Sequence, residues 1–145
     1  MLASLCGVLK EAAIYMKAKS LVLIVLFCVG CGSSGVDRAE VSKQATVDAD
    51  GVQRIDVDMH SYYFEPNKII VKAGTPVEIK LHNCSHIVPH NFSISSPDIN
   101  VSDDKWGWGS GHVRFTPTKA GEYRFFCHKD SHEKKGMAGT LIVQE

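Results

Sequence analysis

From Gly51 onward, apolar residues recur at every second position in short runs separated by turn formers, and this pattern restricts the possible folds more than any other feature. Ile55, Val57 and Met59 alternate with Asp56 and Asp58, and Val77, Ile79 and Leu81 alternate with Glu78 and Lys80. Phe92 and Ile94 flank Ser93, while Tyr123, Phe125 and Cys127 alternate with Arg124 and Phe126. A side-chain period of two belongs to an extended strand with one face in a core. Gly74-Thr75-Pro76, Thr116-Pro117 and Ala120-Gly121 break the runs, and no window carries a helical stripe. The expected architecture is an all-β sandwich of about seven strands over 51–145. The stretch 95–111, with Trp106, Trp108 and three glycines, is expected to cover one end of it.

The residues before 51 have a different texture. Positions 21–29 (LVLIVLFCV) are an unbroken apolar run, preceded by Lys17 and Lys19 and followed by Gly30-Cys31. Such a run is too short to cross a bilayer as a helix but suits the apolar core of a secretory signal. Val29-Gly30-Cys31 resembles a bacterial lipoprotein cleavage box, which makes Cys31 the expected lipid-bearing residue. Cys28 departs from that pattern, since Leu is usual at its position. Met16-Lys17-Ala18-Lys19 forms a natural signal opening, so Met16 is an alternative start. An uncleaved anchor helix is the competing reading, and both place the domain outside the cytoplasm, in the periplasm or at the cell surface. The expected organisation is a signal with lipobox over 1–31, a small, polar, flexible tether over 32–50, and a folded domain over 51–145.

Charge and cysteine usage narrow the function. The formal net charge is zero, so no basic face points to a nucleic-acid partner. Of five cysteines, Cys6, Cys28 and Cys31 fall in 1–31, leaving Cys84 and Cys127 for the domain. Two cysteines in an exported domain are compatible with one disulfide. The alternative is that Cys127 serves as a metal thiolate.

The stretch CHKDSHEKKGM, from Cys127 to Met137, favours the second alternative. It offers a thiolate, the imidazole of His132 and the thioether of Met137 in one loop between two expected strands. A fourth donor must come from elsewhere, and His90, opening the Phe92–Ile94 run, is preferred over His86. Two His, one Cys and a weak axial Met form the donor set of a mononuclear electron-transfer copper site. His128 is the neighbour of Cys127 on an extended chain, so it is expected to point away from the metal, to the surface.

The run YRFFC ending at Cys127, then His132 and GMAGTLIV over 136–143, resembles the C-terminal signature of the cupredoxins, the type 1 blue copper proteins such as plastocyanin, azurin and auracyanin. Pro89-His90-Asn91-Phe92 is similar to their upstream ligand motif, and the run from Phe64 to Val77 resembles their early strand pair. The resemblance spans about Val52 to the C-terminus. It implies a Greek-key β-sandwich, one copper ion cycling between Cu(II) and Cu(I), and ligands His90, Cys127 and His132 with Met137 axial. It also implies that Asn91 hydrogen-bonds across to the Cys127 loop and holds its geometry. His128-Lys129-Asp130-Ser131 departs from the Pro, Gly or small residues usual between the Cys and His ligands. Glu133, Lys134 and Lys135 stand where an apolar docking patch is common, which points to partner docking steered by charge.

The resulting expectation is an electron carrier, not an enzyme, that passes electrons through an edge of His132 near the surface. Its partners would be redox proteins, membrane-associated or cytochrome-like, reached from a lipid anchor. Copper binding for delivery is the alternative, although only Met59 and Met137 follow the signal. A catalytic copper site with an open coordination position becomes the reading if Met137 does not reach the metal.

Overall fold

The computed structural model describes residues 38–105 and 108–145. The expected signal segment, the lipid attachment at Cys31, the alternative start at Met16 and Trp106 all lie outside the described residues. Within them the chain forms eleven strands: β1 (Ser42–Gln44), β2 (Thr46–Val47), β3 (Gln53–His60), β4 (Tyr63–Glu65), β5 (Lys68–Lys72), β6 (Val77–Asn83), β7 (His90–Ser95), β8 (Asn100–Lys105), β9 (Gly109–Phe115), β10 (Gly121–Phe126) and β11 (Ala138–Gln144). A single 3-10 turn, Glu133–Lys135, interrupts the last connection. No helix among the described residues is long and apolar enough to cross a membrane.

Two mixed sheets face each other. One runs β1-β5-β11-β10-β7-β8, and the other runs β2-β3-β6-β9 with β4 on the β3 edge. The alternating positions of β3 and β6 supply one inner face, with Ile55, Val57, Met59, Val77, Ile79 and Leu81 all buried. Ile69, Val71, Phe92, Ile94, Phe125, Leu141 and Val143 supply the other. Strand β7 breaks the alternation, because His90 through Ile94 are all buried. Its inner face is apolar, and its outer face carries Asn91 and Ser93. One buried amide joins the sheets far from the loop that follows β10. Gln53 Nε2 donates to the Lys72 and Thr75 carbonyls at 2.9 and 3.2 Å, and its Oε1 accepts the Lys72 N–H at 2.7 Å.

Two sequence expectations need correction. Residues 42–47 belong to the domain and not to a tether. Ser42, Lys43 and Gln44 pair in parallel with Lys68, Ile69 and Ile70, Thr46 and Val47 pair with β3, and Ala45 is buried. The polar composition that suggested a linker is that of an edge strand with its side chains exposed. By pairing with β5, it covers backbone groups that would otherwise form an open sheet edge. The stretch 95–111 is likewise not a simple cover. It contains β8, paired along its length with β7, and the start of β9, paired with β6. Its charged and polar side chains hide the strand character because β8 has no fully buried position.

A chain beginning at Gly51 loses the Ala45 N–H bond to the Ile70 carbonyl and the bonds that Asn67 and Lys68 make to the Val41 carbonyl. Compared with a chain beginning at Arg38, it should be less stable by roughly 2 kcal/mol. Urea unfolding of the two fragments measures the difference, and equal midpoints would show that β1 and β2 contribute nothing.

Candidate metal centre

Strand directions bring three connections to one end of the sandwich. Strands β3 and β6 run parallel and finish there, β7 starts there, and β10 ends where β11 begins. The turn carrying Tyr62, the loop 84–89 and the loop 127–137 therefore meet. Beneath them, Phe92 lies two residues after His90 and Phe125 two before Cys127, each facing inward. With Phe64 they form an aromatic platform with ring centroids 4.9 to 5.7 Å apart.

On that platform the structure brings together His90, Cys127 and His132, with donor atoms all within 4.8 Å of one another. His90 and Cys127 are fully buried and His132 is 3% exposed. Met137 from the same loop is also fully buried. Cys127 Sγ lies 3.5 Å from His132 Nδ1. Metal–sulfur and metal–nitrogen bonds of about 2.3 and 2.0 Å, at a tetrahedral angle, place two donors about that far apart. Neither ring nitrogen of His90 has a hydrogen-bond partner among the described residues. A buried imidazole without a partner is costly, and a metal ion would supply one. These residues fit a metal.

The loop is closed on its own backbone. The Cys127 N–H donates to the Met137 carbonyl at 3.1 Å, and the Met137 N–H donates to the His132 carbonyl at 3.0 Å. The His132 N–H donates to the Lys129 carbonyl at 2.7 Å. Gly136 ends the 3-10 turn at φ 99°, a left-handed conformation that disfavours a side chain, and so returns the chain toward Met137. Asn91 ties this loop to β7, with its Oδ1 accepting the His128 N–H at 2.8 Å and its own N–H pointing at Cys127 Sγ at 3.4 Å. Lys129 adds an ion pair to Asp104 of β8 at 3.1 Å.

Burial sets the protonation of the donors. It pulls the His90 pKa down to about 4, helped by the nearby His132 and His60, so the ring is a neutral ligand at ordinary pH. His132 is lowered for the same reason, with Lys135 adding to the effect. Burial pushes the Cys127 thiol up, against the backbone N–H groups of Asn91 and Lys129, which favour the anion. A cation is what would make this sulfur a thiolate.

Several features were not legible in the sequence. His128 is exposed, as expected of a residue pointing away from the site, yet its Nδ1 lies 2.8 Å from Asn91 Nδ2 and 3.2 Å from Ser93 Oγ. Ser93 reaches Ser102 of β8 at 2.9 Å, so a small polar network backs the loop on the outer face of the sheet. The available signal was that Asn91 and Ser93 are uncharged where outward positions of other strands carry Asp, Glu or Lys. Asn83 organises the loop before His90, with its Oδ1 accepting the Ser85 N–H at 2.9 Å. Tyr62 was also missed. Its ring packs at 4.6 Å on His132, under the ammonium of Lys135 at 4.0 Å, so His132 does not present an edge to solvent. Cys84 is exposed and free while Cys127 is buried and free, which removes the disulfide reading. His86 is not among the converging donors; its ring lies tilted, 3.9 Å from that of Trp108, which is 66% exposed.

Replacing Asn91 with Ala strands the His128 N–H and removes the amide's contacts to Ser93 and to the His128 ring. Metal-free protein carrying Asn91→Ala should lose about 2–3 kcal/mol. Denaturant unfolding reads this directly, and a loss under about 0.5 kcal/mol would show that the loop does not depend on the clamp.

Known proteins share this fold. The model of the cupredoxin-like domain family matches residues 21–143. Auracyanin from the photosynthetic bacterium Roseiflexus castenholzii superposes with a TM-score of 0.59 at 19% identity, covering 70% of this chain and 99% of that one. Auracyanin A, a "blue" copper protein from Chloroflexus aurantiacus, gives 0.58 at 21% identity, over 65% of this chain and all of that one. The metal-binding domain of the Streptococcus pneumoniae Cu(I)-exporting P-type ATPase CopA gives 0.56 at 21%, over 74% and 100%. No curated protein sequence matches the chain. Two facing β-sheets, a family match over most of the sequence and a buried His-Cys-His group at one end lead to one conclusion: the chain belongs to the cupredoxin-like family.

Proposed function

We propose that the protein is an electron carrier in which His90, Cys127, His132 and the thioether of Met137 would hold one copper ion. The observation that carries this reading is the buried convergence of two imidazoles and one cysteine on a common point, with both His90 nitrogens unpartnered. When bound, copper supplies a one-electron Cu(II)/Cu(I) couple. The protein's own part is to hold the donors still and dry. The self-bonded loop and the Asn91 clamp limit rearrangement between oxidation states, and burial keeps water from the donors. Zinc also fits a Cys-His-His set, but a buried Met137 in the same loop offers a thioether, which favours copper.

Electrons would leave across the half-buried ring of Tyr62 rather than from His132 itself. Around this end, Ile87 is 83% exposed and Trp108 nearly as open, while Lys134 and Lys135 are exposed. That mixture suits a redox partner protein that docks on apolar contact and is steered by an acidic rim. Export and lipid attachment at Cys31 complete the proposal, placing the carrier in the periplasm or at the cell surface beside membrane-bound partners. Delivery is the second reading, supported by the shared fold of the Cu(I)-exporter domain. Donors at most 3% exposed oppose it, because handing over an ion needs an accessible ligand.

Adding Cu(II) to the purified protein should give an intense visible thiolate-to-copper band at one equivalent, and Cys127→Ser should abolish it. A colourless product binding several equivalents of Cu(I) would favour delivery instead. Met137→Leu should keep the band and raise the reduction potential, because losing a sulfur donor costs the more charged ion more. Voltammetry showing no change would remove Met137 from the ligand set.

A further inference from the structure

The outer face of the other sheet carries a separate group of donors. Strands β3 and β6 pair in parallel with Asp58 opposite His82 and Met59 opposite Asn83, so the next position sets His60 beside Cys84. Asp58 and His60 are two residues apart on one strand and share its outward face. The carboxylate of Asp58, the imidazole of His60 and Cys84 Sγ all lie within 4.8 Å of one another. We propose that Asp58, His60 and Cys84 form a second, solvent-facing metal site for one divalent cation of the Zn(II) class.

Two features beyond proximity support this. First, the two backbones are locked where the donors meet, with the Cys84 N–H donating to the Met59 carbonyl at 3.0 Å and the His60 ring stacked on Tyr63 at 4.4 Å. Second, Asp58 has no ion-pair partner among the described residues. Its neighbours on the same strand and the preceding turn do, with Asp56 facing His82 at 3.0 Å and Asp48 and Asp50 held by Arg54. On binding a divalent ion, the Cys84 thiol would release its proton to solvent and ligate as the thiolate.

The donor set selects the cation. One oxygen, one nitrogen and one sulfur is a mixed, borderline set that suits Zn(II), whereas the carboxylate is a poor ligand for Cu(I). Three protein donors on an open surface leave the fourth position to water, which makes this an exchangeable site unlike the buried one. Half-buried Asp58 and His60 with exposed Cys84 also allow the ion to enter without opening the fold.

Titration with Co(II), a coloured stand-in for Zn(II), tests the site. Cys127→Ser protein should still develop thiolate-to-Co(II) absorption at one equivalent, and Zn(II) should displace it. Adding His60→Ala or Asp58→Asn should weaken that binding at least about tenfold, and adding Cys84→Ser should abolish the band. In wild-type protein, Zn(II) should shift the His60 ring resonances, and Cys84→Ser should remove the shift, a readout independent of Cys127. No band in Cys127→Ser together with no His60 shift in the wild type would overturn the proposal. So would a band that His60→Ala and Asp58→Asn leave unchanged, since that describes a lone thiol. Failure of the buried centre appears separately, as loss of the copper band in Cys84→Ser protein.

Discussion

A pair of hydrogen bonds made by one buried asparagine, one accepted by its side chain and one donated by its backbone, holds the architecture of this metal centre. Asn91 reaches from β7 to the backbone of His128 with its side chain and to the sulfur of Cys127 with its main chain. Without that link, the loop 127–137 would still close on itself but would be held to the His90 strand only through the short β10–β7 pairing and the Lys129–Asp104 ion pair. Two donors sit on the loop and one on the strand, so their mutual geometry is only as rigid as the connection between them. The Ser93–Ser102–His128 network explains why the connection is stiff: the amide has no spare rotamer, because each of its polar atoms is occupied.

The same logic explains the burial of β7 on both faces. A strand whose outer side is open would let water compete for the Asn91 amide. The Ser102 side chain of β8 and the His128 ring lie against it instead, and the cost of burying polar groups is offset by their pairing. The inner side rests on the Phe64, Phe92 and Phe125 platform, so the donors lie between a close-packed apolar layer below and a satisfied polar layer outside.

Much of this was legible in the sequence, and the gaps have physical reasons. The period-two runs of β3, β6 and β10 announce themselves because one face is apolar and the other charged. The loop from Cys127 to Met137 is legible because sulfur and imidazole donors are rare enough to be conspicuous at that spacing. Strands β1, β2 and β8 are illegible because edge strands with exposed side chains bury almost nothing; backbone pairing makes them, and backbone pairing has no side-chain signature. The cover of Tyr62 over His132 depends on two connections meeting across the sandwich, a long-range contact that no local pattern encodes. The Asp58, His60 and Cys84 group escaped notice for a similar reason, because only strand register sets residue 60 beside residue 84.

Strand β1 also fixes where the polypeptide joins the domain. The guanidinium of Arg38 lies 3.6 Å over the ring of Tyr63, the neighbour of Tyr62, and the chain then runs along β5 away from the donors. The described chain therefore enters the domain at its metal-bearing pole, so a group joined ahead of Arg38 would meet the domain beside the donors and not at the far end of the sandwich.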